Sequence, residues 1–189
     1  MFKDLVIKNR SYRRFYQEVS IDIETLRGLV DLARISASGG NLQPLKYILS
    51  NEPPKNALIF QHLTWAGYLG DWKGPVEGER PAAYIIILGD TEIRKNQGCD
   101  HGIAAQNILL GATEKGLGGC LLGAVNFEGL RKDLNIQESY EIHLVVALGK
   151  PKEIVVLDDL VPSGDIKYWR DNEGVHHVPK RNLNDIIVG

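Results

Sequence analysis

A chain of 189 residues with 43% hydrophobic and 24% charged side chains has the make-up of a globular domain that can bury a core without disulfides. Its 24 acidic and 22 basic side chains leave a formal net charge of -2, which excludes a global field for nucleic acid or anionic lipid and makes any anion site local. The longest apolar run, Ala82 to Leu88, is far shorter than the about 20 residues that span a bilayer.

The first fifteen residues carry no apolar signal region. Cys99 and Cys120 show no C-x-x-C or framework spacing, which fits a reducing compartment. The expectation is a single domain over residues 1–189, in the cytoplasm, with no membrane or nucleic-acid partner.

In chain order, MFKDLVIKN reads as a short helix. KNRSYRRFY at 8–16 then places Lys8, Arg10, Arg13 and Arg14 among three aromatics. Ile23, Leu26, Val30 and Ala33 recur at helical spacing, with Asp22, Glu24, Arg27, Asp31 and Arg34 outward. SGGNLQP ends that helix, since Pro44 forbids its continuation. LKYILS at 45–50 reads as a strand closed by Asn51, Pro53 and Pro54, and PAAYIIILGD as a strand buried on both faces. DHGIAAQNILLGATEKG is a central helix, apolar around most of its circumference and ended by Gly116.

LGGCLLGAV reads as a glycine-bounded loop, FEGLRKDLNI as a short amphipathic helix and EIHLVVALGKP as a second buried strand. From Lys152 the chain reads as polar and irregular, closing with a basic turn in HHVPKRNLNDIIV. Helices precede and separate a few strands without clean β-α-β units, so the class is α+β.

Glycine is plentiful, yet no G-x-G-x-x-G follows a strand and opens a helix, and no P-loop occurs. His62, His101, His143, His176 and His177 show no metal-ligand spacing and read as ordinary polar residues. Cys120 reads as a small buried residue. The N-terminal cations have two readings on residues alone, a solvated helix end or an anion site. The second gains from ASGGN, whose glycines expose backbone N–H groups, and from Lys180 and Arg181 as a further cation pair.

Five segments, NRSYRRF (9–15), SASGGNLQP (36–44), GIAAQNILLGATEKGLGGCLLGAV (102–125), LVVALGKP (144–151) and VPKRNLNDII (178–187), together resemble the nitroreductase family of FMN-dependent oxidoreductases, in that family's order. The resemblance implies an α+β homodimer with a central, mostly antiparallel sheet flanked by helices and FMN at the subunit interface. It implies that Arg10, Ser11, Tyr12 and Arg13 reach the phosphate and pyrimidine edge, and that Ser38, Gly39, Asn41 and Gln43 line the ring. Cys120, Leu121, Leu122 and Gly123 would approach its N5 and O4 side, and Lys180 and Arg181 would complete the phosphate site.

Three departures stand out. Asn9 replaces a common arginine, Leu121 replaces a frequent tryptophan, and the chain is short, with residues 63–81 as a cover over the pocket. By the same resemblance NADH or NADPH reduces the flavin at N5, Arg13 stabilises its reduced anion, and nitroaromatic, quinone or similar planar acceptors reoxidise it in ping-pong order. No dedicated acid or base and no metal are implied. The alternatives are a specialised flavin enzyme on the same fold, of reductive dehalogenase or flavin-degrading type, and a nucleic-acid or phosphate-binding module.

Overall fold

The alternation and periodicity of apolar residues decide most elements. In the computed structural model, which describes residues 1–96, 98–161 and 164–189, the chain begins with α1 (Phe2–Lys8), passes the two-residue β1 (Phe15–Tyr16) and enters α2 (Ile23–Arg34). Asp22 caps α2 by accepting the Thr25 N–H at 2.6 Å. The buried face is Leu26, Leu29 and Ala33, whereas Ile23 is 43% exposed and Val30 only partly buried, so the stripe is rotated from the expected one.

β2 (Leu45–Ser50) is followed by α3 (Pro53–Phe60), a helix not foreseen. The proline pair read as a stop occupies the first turn, where a missing N–H costs nothing and the fixed φ suits a helix. β3 (Ala83–Asp90), α4 (Asp100–Glu114), β4 (Gly118–Leu122), α5 (Phe127–Asp133) and β5 (Tyr140–Pro151) complete the main sheet and its cover.

The sheet is antiparallel throughout, in the order β1-β5-β3-β2, with β4 also on β5. Ile87 of β3 faces Leu144 of β5, and Cys120 of β4 faces Ala147. Alternate residues of β3 serve two cores. Ala83, Ile85 and Ile87 pack with Leu26 and Leu29 of α2 and Ile108 and Ala112 of α4. Tyr84, Ile86 and Leu88 pack with Ile59, Trp65 and Leu130 on the other side. Burying each such side chain is worth about 1.5–3 kcal/mol.

The stretch read as irregular instead forms a second sheet. β6 (Val155–Asp159) pairs in parallel with β8 (His176–Lys180), which pairs antiparallel with β7 (Trp169–Arg170). Its strands are short and half-buried, so they lack the apolar alternation that marks β3. Similarly, GGCLL is strand β4 rather than loop. No described helix is long and apolar enough to cross a membrane.

Candidate anion and flavin site

The first motif is sewn to β4. Ser11 forms a parallel bridge with Gly119, and the Tyr12 N–H donates to the Gly119 carbonyl at 3.0 Å. Glycine permits this close approach: a Cβ on Gly118 would lie 2.5 Å from Tyr12 Cδ2, and one on Gly119 2.6 Å from the Ala147 carbonyl oxygen. β8 comes to the same place from the other end of the chain. Asn9, Arg10, Ser11, Arg13, Tyr168, His176, Val178 and Lys180 line a cavity of about 310 Å³.

The cations here divide by their partners. Arg14 clamps Glu79 bidentately at 2.7 and 2.6 Å. That bond, ahead of the effect of burial, helps hold the Glu79 carboxyl down at about 2. Arg170 pairs with Glu153 at 2.9 Å.

Arg10, Arg13 and Lys180 make no ion pair among the described residues. Arg10 Nη2 donates to the Val6 carbonyl at 2.7 Å, while its buried Nε has no partner. Partial burial lowers its pKa, an effect that the Tyr12 hydroxyl only partly offsets.

Arg13, 9% exposed, is satisfied by neutral groups. Its Nη1 donates to the Ser11 carbonyl at 3.2 Å and to Nε2 of His176 at 3.1 Å, and its Cζ lies 4.6 Å from the Tyr168 ring centroid. His176 is fully buried, and desolvation, reinforced by the Arg13 and Arg170 charges, lowers its pKa to about 4. A neutral imidazole accepting at Nε2 is the form that fits. His176 is thus a buried member of the cavity wall rather than the ordinary polar residue expected. Phe15 is wholly buried, as expected of a core residue.

Glu153 anchors the motif from below. Its carboxylate accepts the backbone N–H groups of both Arg13 and Arg14 as well as the Arg170 guanidinium. Glu153, Tyr168 and His176 were not legible as site residues, because nothing in their spacing along the chain ties them to the N-terminal motif. The expected cover, residues 63–81, reaches the site through Tyr68, whose ring is 4.9 Å from that of Tyr168. Its Trp65 is instead buried in the core beside Ile59.

β4 presents its residues unequally. Leu121 is 38% exposed and Gly123 is also open, whereas Cys120 and Leu122 are buried and leave only backbone to a ligand. Burial pushes the Cys120 thiol up to about 11, which makes it a packing residue. Tyr12 is half-buried and its hydroxyl donates to the Lys8 carbonyl at 3.0 Å. Arg181 is exposed and does not line the cavity.

The glycine loop lies apart. Ser38 and Gln43 line a separate cavity of about 150 Å³ with Tyr47 and Asp100, and it shares no lining residue with the first. Gly39 and the exposed Asn41 sit on the same loop, so a single chain does not bring all the expected ligand contacts together. No group of three or more potential metal ligands occurs among the described residues.

The Nitroreductase family model matches residues 71–150, which hold β3, α4, β4, α5 and β5. A protein of Archaeoglobus fulgidus provisionally named NADH dehydrogenase/NAD(P)H nitroreductase is 27% identical over 158 residues, spanning 78% of this chain and 84% of that protein. The provisionally named NAD(P)H nitroreductase YodC of Bacillus subtilis is 24% identical over 88% of this chain and 97% of its own. Among solved structures, an FMN-dependent nitroreductase from Clostridium difficile superimposes with a TM-score of 0.66 at 23% identity, over 79% of this chain and 87% of that one. A nitroreductase family protein from Streptococcus pneumoniae superimposes over 100% of both chains with a TM-score of 0.73 at 16% identity. Through the central sheet the chain is similar in sequence to the nitroreductase family, and over its whole length it shares the fold of nitroreductase family structures.

Proposed function

We propose that the chain is an FMN-dependent NAD(P)H oxidoreductase that acts as a homodimer on nitroaromatic, quinone or similar planar acceptors. The observation that carries this reading is the cavity in which Arg10, Arg13 and Lys180 converge without a carboxylate partner among the described residues, beside a strand that glycine keeps open to the first motif. A phosphate there answers the unpartnered buried Nε of Arg10 with charge-assisted hydrogen bonds of roughly 1.5–3 kcal/mol each. Similarity to the nitroreductase family supports oxidoreductase chemistry, and the matched relatives' names support NAD(P)H as reductant.

When bound, FMN supplies the electron-carrying chemistry. The chain's part is to bind, orient and shield it. Arg10, Ser11 and Lys180 hold the phosphate end, with the exposed Arg181 next to Lys180 in sequence. Arg13, fixed by His176 and Tyr168, provides a positive charge that does not have to reorganise. Leu121 and Gly123 offer an apolar edge and open backbone. Ser38, Gly39, Asn41 and Gln43 of a second copy complete the wall, which accounts for their separation from the cavity within one protomer. The open side of α4, with Ile103 39% exposed, and the exposed Leu183, Ile186 and Ile187 near the C-terminus supply apolar surface for such a dimer.

A rapid-mixing experiment tests the activity: FMN-loaded protein is reduced by NADH or NADPH and then mixed with a panel of nitroaromatics and quinones. Fast reoxidation by planar acceptors is expected, and reoxidation no faster than that of free flavin contradicts the reading.

A further inference from the structure

The loop between α2 and β2 holds an unusual backbone. Gly40, Asn41 and Gln43 have φ of 60°, 54° and 51°. Glycine and asparagine visit this left-handed region readily, but glutamine does so at a cost that persists only where the surroundings impose it. The side chains of Asn41 and Gln43 are exposed, so core packing does not impose it.

A chain of hydrogen bonds does. Ser38 Oγ accepts the Gln43 N–H at 3.0 Å and donates to Asp100 Oδ2 at 2.7 Å. The Gly39 N–H donates to Asp100 Oδ1 at 3.0 Å, and Gln43 Nε2 donates to the Asn41 carbonyl at 3.2 Å. Asp100 is 5% exposed and stands in the first turn of α4, where the helix dipole favours a carboxylate. Burial raises its pKa, but the bonds from Ser38 and Gly39 and the Arg94 charge outweigh burial and keep it ionised. Buried and bonded to both Ser38 and Gly39, it can dictate the shape of an exposed loop.

We propose that Asp100 is a positioning residue for this loop: acting through Ser38, it fixes the left-handed backbone at Gln43 and so sets where Asn41 and Gln43 meet their ligand. The role rests on the flavin reading above, in which that ligand is the FMN held mainly by a second copy. In this role Asp100 acts on the ligand through the loop.

The test uses the full chain with two substitutions. Asp100→Asn removes the charged acceptor, and Ser38→Ala cuts the relay at its middle while leaving the buried carboxylate in place. Hydrogen exchange at the Gln43 amide is read in the FMN-free protein, and FMN affinity by fluorescence titration.

Both variants are expected to speed Gln43 exchange while amides of α2 and β3 keep their protection. Asp100→Asn is expected to weaken FMN about tenfold, as the loss of one charge-assisted bond would. Gln43 exchange unchanged, or FMN affinity unchanged in Asp100→Asn while wild type binds FMN, overturns the positioning role and leaves the flavin reading standing. Faster exchange spread evenly along the chain shows a loss of global stability and also overturns it. If Asp100→Asn does not fold, Gln43 exchange in Ser38→Ala decides. A wild type that takes up no FMN overturns the flavin reading and this role together.

Discussion

Arg13 Nη1 lies 3.1 Å from Nε2 of the fully buried His176, so a cation of the N-terminal motif is held by a neutral imidazole from the far end of the chain. Protonating that imidazole would bring two positive charges together. The folded pKa of His176, about 4, is below its ordinary 6.5, so the unfolded chain takes up the proton first. Stability from this group is full above about 6.5 and declines as pH falls toward about 4. Urea unfolding across that window should show the decline, and it should shrink in His176→Asn, which can accept without titrating.

The neighbouring His177 should behave in the opposite sense. Burial lowers its pKa, but hydrogen bonds to Asp171 and Asp158, at 3.3 and 2.9 Å, outweigh burial and raise it. Its contribution is therefore present below 6.5 and lost as pH rises through the folded value. The stability gap between wild type and His177→Gln should be larger in mild acid than at alkaline pH; a gap that does not vary with pH would remove the ion pairs from the account.

Arg10→Gln should weaken FMN binding by roughly 10- to 100-fold, the loss of one or two charge-assisted bonds. Lys8→Gln, at the exposed last residue of α1, should leave it unchanged. Isothermal titration of the two variants checks this, and equal affinities would show that Arg10 is not a phosphate ligand.

Glu153 has a fully buried side chain that serves Arg13, Arg14 and Arg170 together. Glu153→Gln leaves Arg170 without its anion and should cost roughly 3–5 kcal/mol of stability. Denaturant unfolding measures this, and a loss below about 1 kcal/mol would place the pair among weak surface bridges.

The sequence revealed those elements whose burial is one- or two-sided and regular. Ile85, Ile86 and Ile87 announce β3, and the apolar residues of 100–114 announce α4. It hid α3, because Pro53 and Pro54 serve equally well to stop a strand and to start a helix. It hid β4, because glycines needed for Tyr12 to approach look like those of a loop. The small C-terminal sheet was invisible since His177 with Asp158 and Asp171, not an apolar face, ties its strands together. The cations at 10, 13 and 180 were legible as a group, but the tie of Arg14 to Glu79 was not, because spacing along the chain says nothing about which carboxylate folding brings near. For the same reason the separation of Ser38 and Gln43 from the main cavity appears only in three dimensions.

The central claim is that the cavity of Arg10, Arg13 and Lys180 holds FMN for NAD(P)H chemistry. Anaerobic titration of the protein with FMN, followed by NADH or NADPH, tests it most directly. Saturation at one flavin per protomer with quenched fluorescence, then rapid loss of the oxidised-flavin absorbance, is the result predicted. Protein that binds no FMN at saturating concentration, or bound FMN that neither nucleotide bleaches, would contradict it.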